Sequence, residues 1–463
     1  MNINELYLNV HDTSLSSAIC QTAIQTEEDK LRCRAKGYAV NLTEAEFRKE
    51  FPGFKPAHIH YSLSIGLTCF YFNRETLAIC PFHLTLLSPT MPDNDRKRFV
   101  DGTLRTIEAA ERGAAEGCYT SAITTLPDRM RLEFFTLLVK KHGTSAPDLY
   151  KQFFDAYLLS DYGFRDMDKD TLNAILQNKT AEDRKRTAEV IKDLPKFITV
   201  YREGNSKSVP YQEAYSWSLD INVANFFAAR RGNGPGYIAK AHVLKDDIIE
   251  AFLGDNSRGE EEIIVDPRNV SVIEVIHLHG TELLETVLPK VAPMYRTYRE
   301  KIRKLHFLQK SDDHGEMHEA RVLLLTQIMA EMAGLPEIDR KLLATAAIYH
   351  DTQRTHDGDD ESHGEAAARY YFRNEMVHHP IVEFLCEYHC LPDGDGLEKI
   401  RRDEILQKHG NQRVTKLWQI FKDADALDRV RFDIRCLDWN QLRTTAAQEL
   451  TLVARMCYQQ IKL

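Results

Sequence analysis

From about residue 306 to the end, the sequence is dominated by helical periodicity, and this stretch constrains the fold most strongly. In HEARVLLLTQIMAEMAG the apolar residues recur every three or four positions, in register with His318. This spacing is typical of a helix with one buried face. Loops are indicated at GLP, at the acidic stretch 356–362 and at LPDGDG. The sequence therefore predicts an all-α bundle at residues 291–463, with His318 pointing inward.

The rest of the chain mixes helical and strand-favouring segments, so the sequence as a whole predicts an α+β, multidomain protein. A chain of 463 residues is too long for one ordinary core. Residues 1–190 show helical patches at 44–50, 95–116 and 130–141 around a strand-favouring segment, IHYSLSIGLTCFYF. Residues 191–290 show short strands and turns around one helix at 221–230. We expect three regions with these boundaries, the first of unknown role.

Composition excludes several classes of protein. The formal net charge is −9, and no basic footprint indicates nucleic acid as a partner. No apolar run of membrane-spanning length and no N-terminal signal segment is present, so we expect no membrane partner and a cytoplasmic location, or secretion into a host cell without a cleaved signal. Nine cysteines without a CxxC pair suggest neither a zinc ribbon nor a disulfide framework.

The stretch IYHDTQRTHDGDDESHG crowds titratable groups behind an apolar helical run. Its acidic segment 359–361 is expected to face water. The doublet His350-Asp351 is carried toward a core, where a charge needs a partner or a metal. A later helix, FKDADALDRVRF, brings Asp425, with Asp423 as an alternative.

The order His318, His350-Asp351, Asp425, with HGEMHEARV and KDADALD around it, resembles the HD-domain metal-dependent phosphohydrolases. The resemblance implies a divalent ion (Mn, Fe, Mg, Ni or Zn) held by two imidazoles and two carboxylates. It implies that His363 and His389 serve a second ion, with plain surface histidines as the alternative. Arg354 and His356 are then candidates for binding phosphate. The expected substrate is a nucleotide or another phosphoester.

A second constellation lies in the middle region, where Arg202, Ser216-Trp217-Ser218 and the run Glu260-Glu261-Glu262 each stand at the edge of a predicted strand. Singly, these could be a solvated strand end, serine helix caps and an exposed charge run. In this order they resemble the arginine-serine-glutamate class of ADP-ribosyltransferases, over residues 197–280. The resemblance implies a β-sandwich core with helices. Trp217 stands where a threonine is common in that class.

The transferase resemblance also implies roles for individual residues, with NAD as co-substrate. Arg202 would hold the pyrophosphate and ribose, and Ser216 would order the nicotinamide ribose. Glu262 would stabilise the cation left when nicotinamide departs, and Glu260 would orient the acceptor. Ser218 and Phe227 complete the implied cofactor-binding set. The turn 254–259 would recognise the substrate, most commonly an arginine of a protein.

Together, the two resemblances predict an enzyme that ADP-ribosylates a protein and also hydrolyses a phosphoester. Bacterial effectors that build phosphoribosyl-ubiquitin pair two activities in a similar way, which suggests an effector or toxin. Two alternatives stay open: a phosphohydrolase whose middle region only recognises a ligand, and a regulatory protein that senses nucleotides without turnover.

Overall fold

A computed structural model describes residues 21–22, 45, 49, 59–62, 68–81 and 92–461, except 127, 144–145, 147, 161–163, 165–166, 207, 231–233, 257, 310, 312 and 359. The chain divides into two compact units, Met1–Lys192 and Asp193–Leu463. Within the described ranges, none of the helices combines the length and the apolar character needed to cross a membrane.

The first unit pairs a small sheet with a set of helices. Its strands form an antiparallel sheet in sequence order: β1 (Gln21–Thr22), β2 (Ile59–Ser62), β3 (Thr68–Asn73) and β4 (Ala78–Pro81). Its helices are α1 (Asp93–Ala115), α2 (Thr120–Thr125), α3 (Asp128–His142), α4 (Leu149–Leu158), α5 (Lys169–Gln177) and α6 (Ala181–Val190). Buried aromatic rings from α3 and α4 meet edge to edge, as Phe135 and Phe153 do with centroids 5.3 Å apart.

The second unit opens with strands around one helix. In chain order these are β5 (Phe197–Asn205), β6 (Ser216–Ser218), α7 (Ile221–Arg230), β7 (Gly236–Leu244), β8 (Ile248–Phe252), β9 (Glu262–Val265) and β10 (Ser271–Leu278). They form one antiparallel sheet in the order β10-β7-β5-β6-β9-β8. Its two halves are joined through a single residue pair, Tyr201 with Ser218. The predicted β-sandwich is therefore not confirmed.

The second unit continues as a helical bundle. Its helices are α8 (Thr281–Ile302), α9 (Glu316–Met332), α10 (Glu337–Tyr349), α11 (His363–Asn374), α12 (Pro380–Tyr388), α13 (Asp393–Arg402), α14 (Glu404–Gln407), α15 (Asn411–Leu427), α16 (Thr445–Glu449) and α17 (Thr451–Ile461). Helix α9 is buried on all sides from His318 to Ala330, so it forms the centre of the bundle. The predicted mixed N-terminal region and helical C-terminal region are confirmed.

One hydrophobic core joins α7 and the adjoining strands β7 and β10 to the helical bundle as far as α17. Polar contacts reinforce this joint: Asn222 on α7 accepts from the Trp439 amide at 2.7 Å, and the His279 amide donates to the Glu449 carbonyl at 2.9 Å. A boundary at residue 290 would fall inside α8. The cysteines whose side chains the structure describes are free thiols.

Candidate metal centre and a second polar cleft

Three helical segments bring the first group of predicted ligands together at the centre of the bundle. His318 lies on α9, His350 and Asp351 directly follow α10, and Asp425 lies in the last turn of α15. The Nε2 atom of His318 is 3.2 Å from Nε2 of His350, 3.3 Å from Oδ1 of Asp425 and 3.5 Å from Oδ2 of Asp351. Asp425 is the most exposed member, at 31%, so the group opens to solvent on its side.

A second group shares Asp351 with the first. His363 begins α11 and His389 follows α12, and their Nε2 atoms lie 2.9 Å apart. Oδ1 of Asp351 is 2.9 Å from Nε2 of His363 and 3.3 Å from Nε2 of His389. One carboxylate thus faces His318 with one oxygen and these two histidines with the other. This is the arrangement expected of an acid that bridges two ions.

Gly364 allows the second group to form. A Cβ atom at this position would lie 2.8 Å from the Cys386 carbonyl oxygen, 2.7 Å from the Glu387 carbonyl oxygen and 2.9 Å from Sγ of Cys390. Any side chain would therefore push α11 away from α12. In the pair His363-Gly364, the histidine supplies the imidazole and the glycine allows α11 to approach α12 closely enough for this imidazole to reach His389.

The ring nitrogens are oriented as metal ligands are. Nδ1 of His350 lies 3.1 Å from the Ala347 carbonyl, and Nδ1 of His389 lies 2.7 Å from the Cys386 carbonyl. Nδ1 of His363 contacts the Asp360 carbonyl in the same way. Because a carbonyl only accepts, each Nδ1 carries the proton and each Nε2 presents a lone pair. Lone pairs facing each other at 2.9 Å repel unless a cation lies between them, so the donor set fits a divalent metal.

Burial and neighbouring charges set the ionisation of the cluster. Burial lowers the pKa of His350 to about 3, so this imidazole is neutral. Burial would also lower the pKa of His318, but the carboxylates of Asp425 and Asp428 outweigh it and the net shift is upward. The pKa of Asp351 lies well below its usual value, because the surrounding imidazoles overcome the effect of burial. Asp351 is therefore charged.

The site also contains residues that the sequence did not predict. Asp428 is fully buried and contacts Nδ1 of His318 at 2.7 Å, while its other oxygen accepts from Nε of Arg321 at 2.6 Å. Nδ1 of His314 is 3.6 Å from Oδ2 of Asp351, and Sγ of Cys390 lies within 4.8 Å of the ligand atoms of His363 and His389. His314 lies four residues before His318, in the turn before α9 begins, and its place in HGEMH could have indicated it.

Other predicted residues occupy different positions. Arg354 lies at the rim, with Nη1 3.4 Å from Nε2 of His363 and 3.8 Å from Oδ1 of Asp351. His356 is exposed and accepts from the Gly358 amide, so it does not join the cluster. Asp423 is buried against Arg443 and Thr444, which excludes it as a substitute for Asp425. His363 lies within the cluster and is no surface histidine. Residue 359 lies outside the described residues.

The predicted residues of the middle region also meet, in one cavity of the sheet. The residues that line it include Arg202, Ser216, Trp217, Ser218, Phe227, Glu260 and Glu262, whereas Glu261 and the described residues of the turn 254–259 are not among them. Arg202 donates from Nη1 to the Ser216 carbonyl at 2.6 Å, while its buried Nε has no hydrogen-bond partner among the described residues. Ser216 bonds the carboxylate of Glu262. Trp217 is buried and donates to the Ala214 carbonyl at 3.1 Å.

The turn before β9 fixes the two glutamates of this cleft. Glu261 between them has φ of 44°, in the left-handed region, and its carbonyl accepts from the Leu219 amide at 2.8 Å. Its carboxylate accepts from the Gly254 amide at 3.2 Å, closing the turn. Arg258 of the same turn has Nη2 2.8 Å from Oε2 of Glu260 and 3.8 Å from Oε2 of Glu262. The run Glu260-Glu261-Glu262 therefore lies in an ordered turn beside the cavity and is not simply an exposed charged segment.

Comparison with known families finds a match for part of the helical bundle. Residues 316–430 match the model of the HD domain, a range that begins with α9 and ends just after α15. No curated protein and no solved structure matches the chain.

Proposed function

Because residues 316–430 form an HD domain, we propose that the chain is a metal-dependent phosphohydrolase acting on a nucleotide or another phosphoester. The observation that carries the proposal is the shared carboxylate of Asp351, with imidazole lone pairs directed at both of its oxygens. His318, His350, Asp351 and Asp425 would hold one ion, and His363, His389 and Asp351 a second. A divalent ion bound there supplies Lewis acidity, which lowers the pKa of water and offsets phosphoryl charge.

The chain's own residues supply binding and orientation. Asp428 and the carbonyls behind the other imidazoles hold each ring with its lone pair directed inward. Arg354 presents a guanidinium at the rim and pairs with substrate phosphate oxygens there. Asp425 lies on the open side, so the substrate enters past this residue.

The test combines metal content with turnover. Purified protein is assayed with a panel of nucleotides and with bis(p-nitrophenyl) phosphate, with and without added Mn²⁺. We expect hydrolysis that a chelator removes and that Asp351→Asn abolishes together with metal content. Glu365→Gln changes an exposed acid on α11 that pairs with Arg369, and it serves as the matched control. A protein that binds no metal and hydrolyses none of the panel would contradict the proposal and favour a sensor.

A second activity is favoured by the sheet cavity, and we propose NAD-dependent ADP-ribosyl transfer to a protein there. Arg202 lines this cavity and has a buried Nε without a hydrogen-bond partner among the described residues, so its guanidinium would bind the pyrophosphate. Glu262 is 5% exposed and oriented by Ser216, as a group that stabilises a developing ribosyl cation must be. Ser218 and Phe227 line the same space and complete the NAD subsite.

Nicotinamide release from NAD tests this second activity. We expect release by the wild type, and a loss of about 100-fold in Glu262→Gln, in line with the removal of one preorganised electrostatic group. Glu274→Gln, which alters an exposed glutamate on β10 of the same sheet, should release nicotinamide like the wild type. Binding of NAD without release would instead support a recognition domain.

A further inference from the structure

Arg258, in the turn before β9, approaches the two glutamates that line the sheet cavity. Its guanidinium contacts Glu260 at 2.8 Å and lies 3.8 Å from Glu262. The arginine side chain is 29% exposed, while the two glutamates are 20% and 6% exposed. One guanidinium nitrogen is therefore shared between the two acids that would activate an acceptor and stabilise the ribosyl cation.

This contact differs from an ordinary ion pair of the same sheet. Arg268 pairs with Asp266 at 2.6 Å, but its side chain is 86% exposed and Asp266 does not line the cavity, as Glu260 and Glu262 do. A guanidinium keeps its proton up to a pH above about 12, so it becomes a nucleophile only when a fixed base takes a proton as the new bond forms. Glu260 is placed to act as this base toward Arg258.

We infer that Arg258 is an internal acceptor, so that the chain ADP-ribosylates itself at this residue; the inference rests on the proposed transferase activity. The bond between the nicotinamide nitrogen and the anomeric carbon of NAD breaks, and nicotinamide leaves. A guanidinium nitrogen of Arg258 forms the new bond to that carbon and gives its proton to Glu260. The products are the ADP-ribosylated chain, nicotinamide and a proton.

The modification has a regulatory consequence. A bulky anionic group on Arg258 would fill the acceptor side of the cavity and place its phosphates beside Glu260 and Glu262. Like charges in a confined space repel, which disfavours binding of another NAD. The transferase would therefore stop itself after one turnover in the absence of a competing acceptor, and the external substrate class is a flexible arginine side chain that can displace Arg258.

The experiment incubates purified full-length protein with NAD at several protein concentrations, measures nicotinamide, and maps the adduct by peptide mass spectrometry. We expect one ADP-ribosyl group on the peptide containing Arg258, formed at a rate constant independent of protein concentration. Arg258→Lys should lose this adduct, whereas Arg268→Lys should keep it. Because the adduct is mapped on the wild type, the result does not depend on how any variant folds.

The outcomes distinguish failure of Arg258 as the internal acceptor from failure of the transferase activity itself. Nicotinamide release with no adduct on Arg258, or with adducts only elsewhere, overturns the internal acceptor and leaves the transferase in place. No nicotinamide release, even with added L-arginine methyl ester as a soluble guanidino acceptor, overturns both. An adduct whose rate constant rises in proportion to protein concentration overturns the intramolecular step.

Discussion

The carboxylate of Asp428 orients the imidazole of His318, with 2.7 Å between Oδ2 and Nδ1. Both side chains are buried, and Arg321 donates to the same carboxylate from Nε and Nη2. This contact directs Nε2 of His318 toward Asp351 and Asp425. Asp428 thus acts on the candidate centre through its neighbour.

We expect Asp428→Asn to weaken metal binding by about 10- to 100-fold, as loss of an outer partner of a metal-bound histidine commonly does. The amide keeps the shape and can still accept from His318, but it lacks the charge that favours the His318 contact. Isothermal titration with Mn²⁺ measures the affinity. Unchanged affinity would show that Asp428 serves only to pair Arg321.

Asp423 and Asp425 are two residues apart on α15, and we expect their substitution to have opposite effects on metal binding and on stability. Asp425→Asn should remove phosphoesterase turnover and metal but, with a chelator present, should unfold much like the metal-free wild type, because this side chain is partly exposed. Asp423→Asn breaks a buried pair with Arg443, which commonly destabilises by about 3 kcal/mol. Turnover, metal content and urea unfolding of both variants check the contrast. The same loss of turnover in both variants, with metal retained, would refute the ligand assignment.

Metal removal should lower thermal stability. Binding to the folded state alone at 100 times Kd stabilises by about 2.7 kcal/mol, and here it also relieves the repulsion among facing imidazoles. We expect a chelator to lower the unfolding temperature, added Mn²⁺ or Zn²⁺ to restore it, and Asp351→Asn to respond to neither. Differential scanning fluorimetry gives the readout, and a wild-type curve that ignores both additions would argue against a metal centre.

Asp168 should make stability fall in acid. It caps α5 by accepting from the Thr171 amide at 2.8 Å, and this hydrogen bond lowers its pKa. Because the folded pKa lies below the unfolded value, the contribution is present above an unfolded pKa of about 3.9 and is lost as pH falls through the folded pKa. Asp168→Ala should cost about 1 kcal/mol at neutral pH. Asp168→Asn should keep the cap and lose its pH dependence, which urea unfolding at several pH values would reveal.

The sequence predicted the helical elements well because their periodicity and capping are local properties. The helix predicted at 221–230 has these bounds, and the patches at 95–116 and 130–141 lie within three residues of α1 and α3 at each end. Strand β8 has no such local signal, since IIEAF follows a charged turn and its pairing with the next strand, β9, is not specified by periodicity. The continuous sheet also could not be predicted, because it depends on one residue pair that no periodicity specifies.

For the metal cluster, the sequence showed the types of ligand and their order, but it did not show how deeply each ligand is buried. His363 follows an acidic loop and carries no apolar pattern of its own, yet it is buried because Gly364 lets α11 approach α12. Asp428 lies three residues after Asp425, and only the packing of α9 against α15 shows that it faces His318. The position of Arg258 against both glutamates depends on a left-handed residue in the turn, which the run of three glutamates does not indicate.

Helix α7 carries Ala224 and Phe227 into the lining of the sheet cavity, while Asn222 of the same helix bonds Trp439 in the bundle. A fragment that stopped after α8 would leave this helix with an uncovered apolar side and lose the cavity's support. We therefore expect neither the cavity nor the metal cluster to keep its geometry if its part of this unit were moved alone into another protein, because α7 belongs to the packing of both.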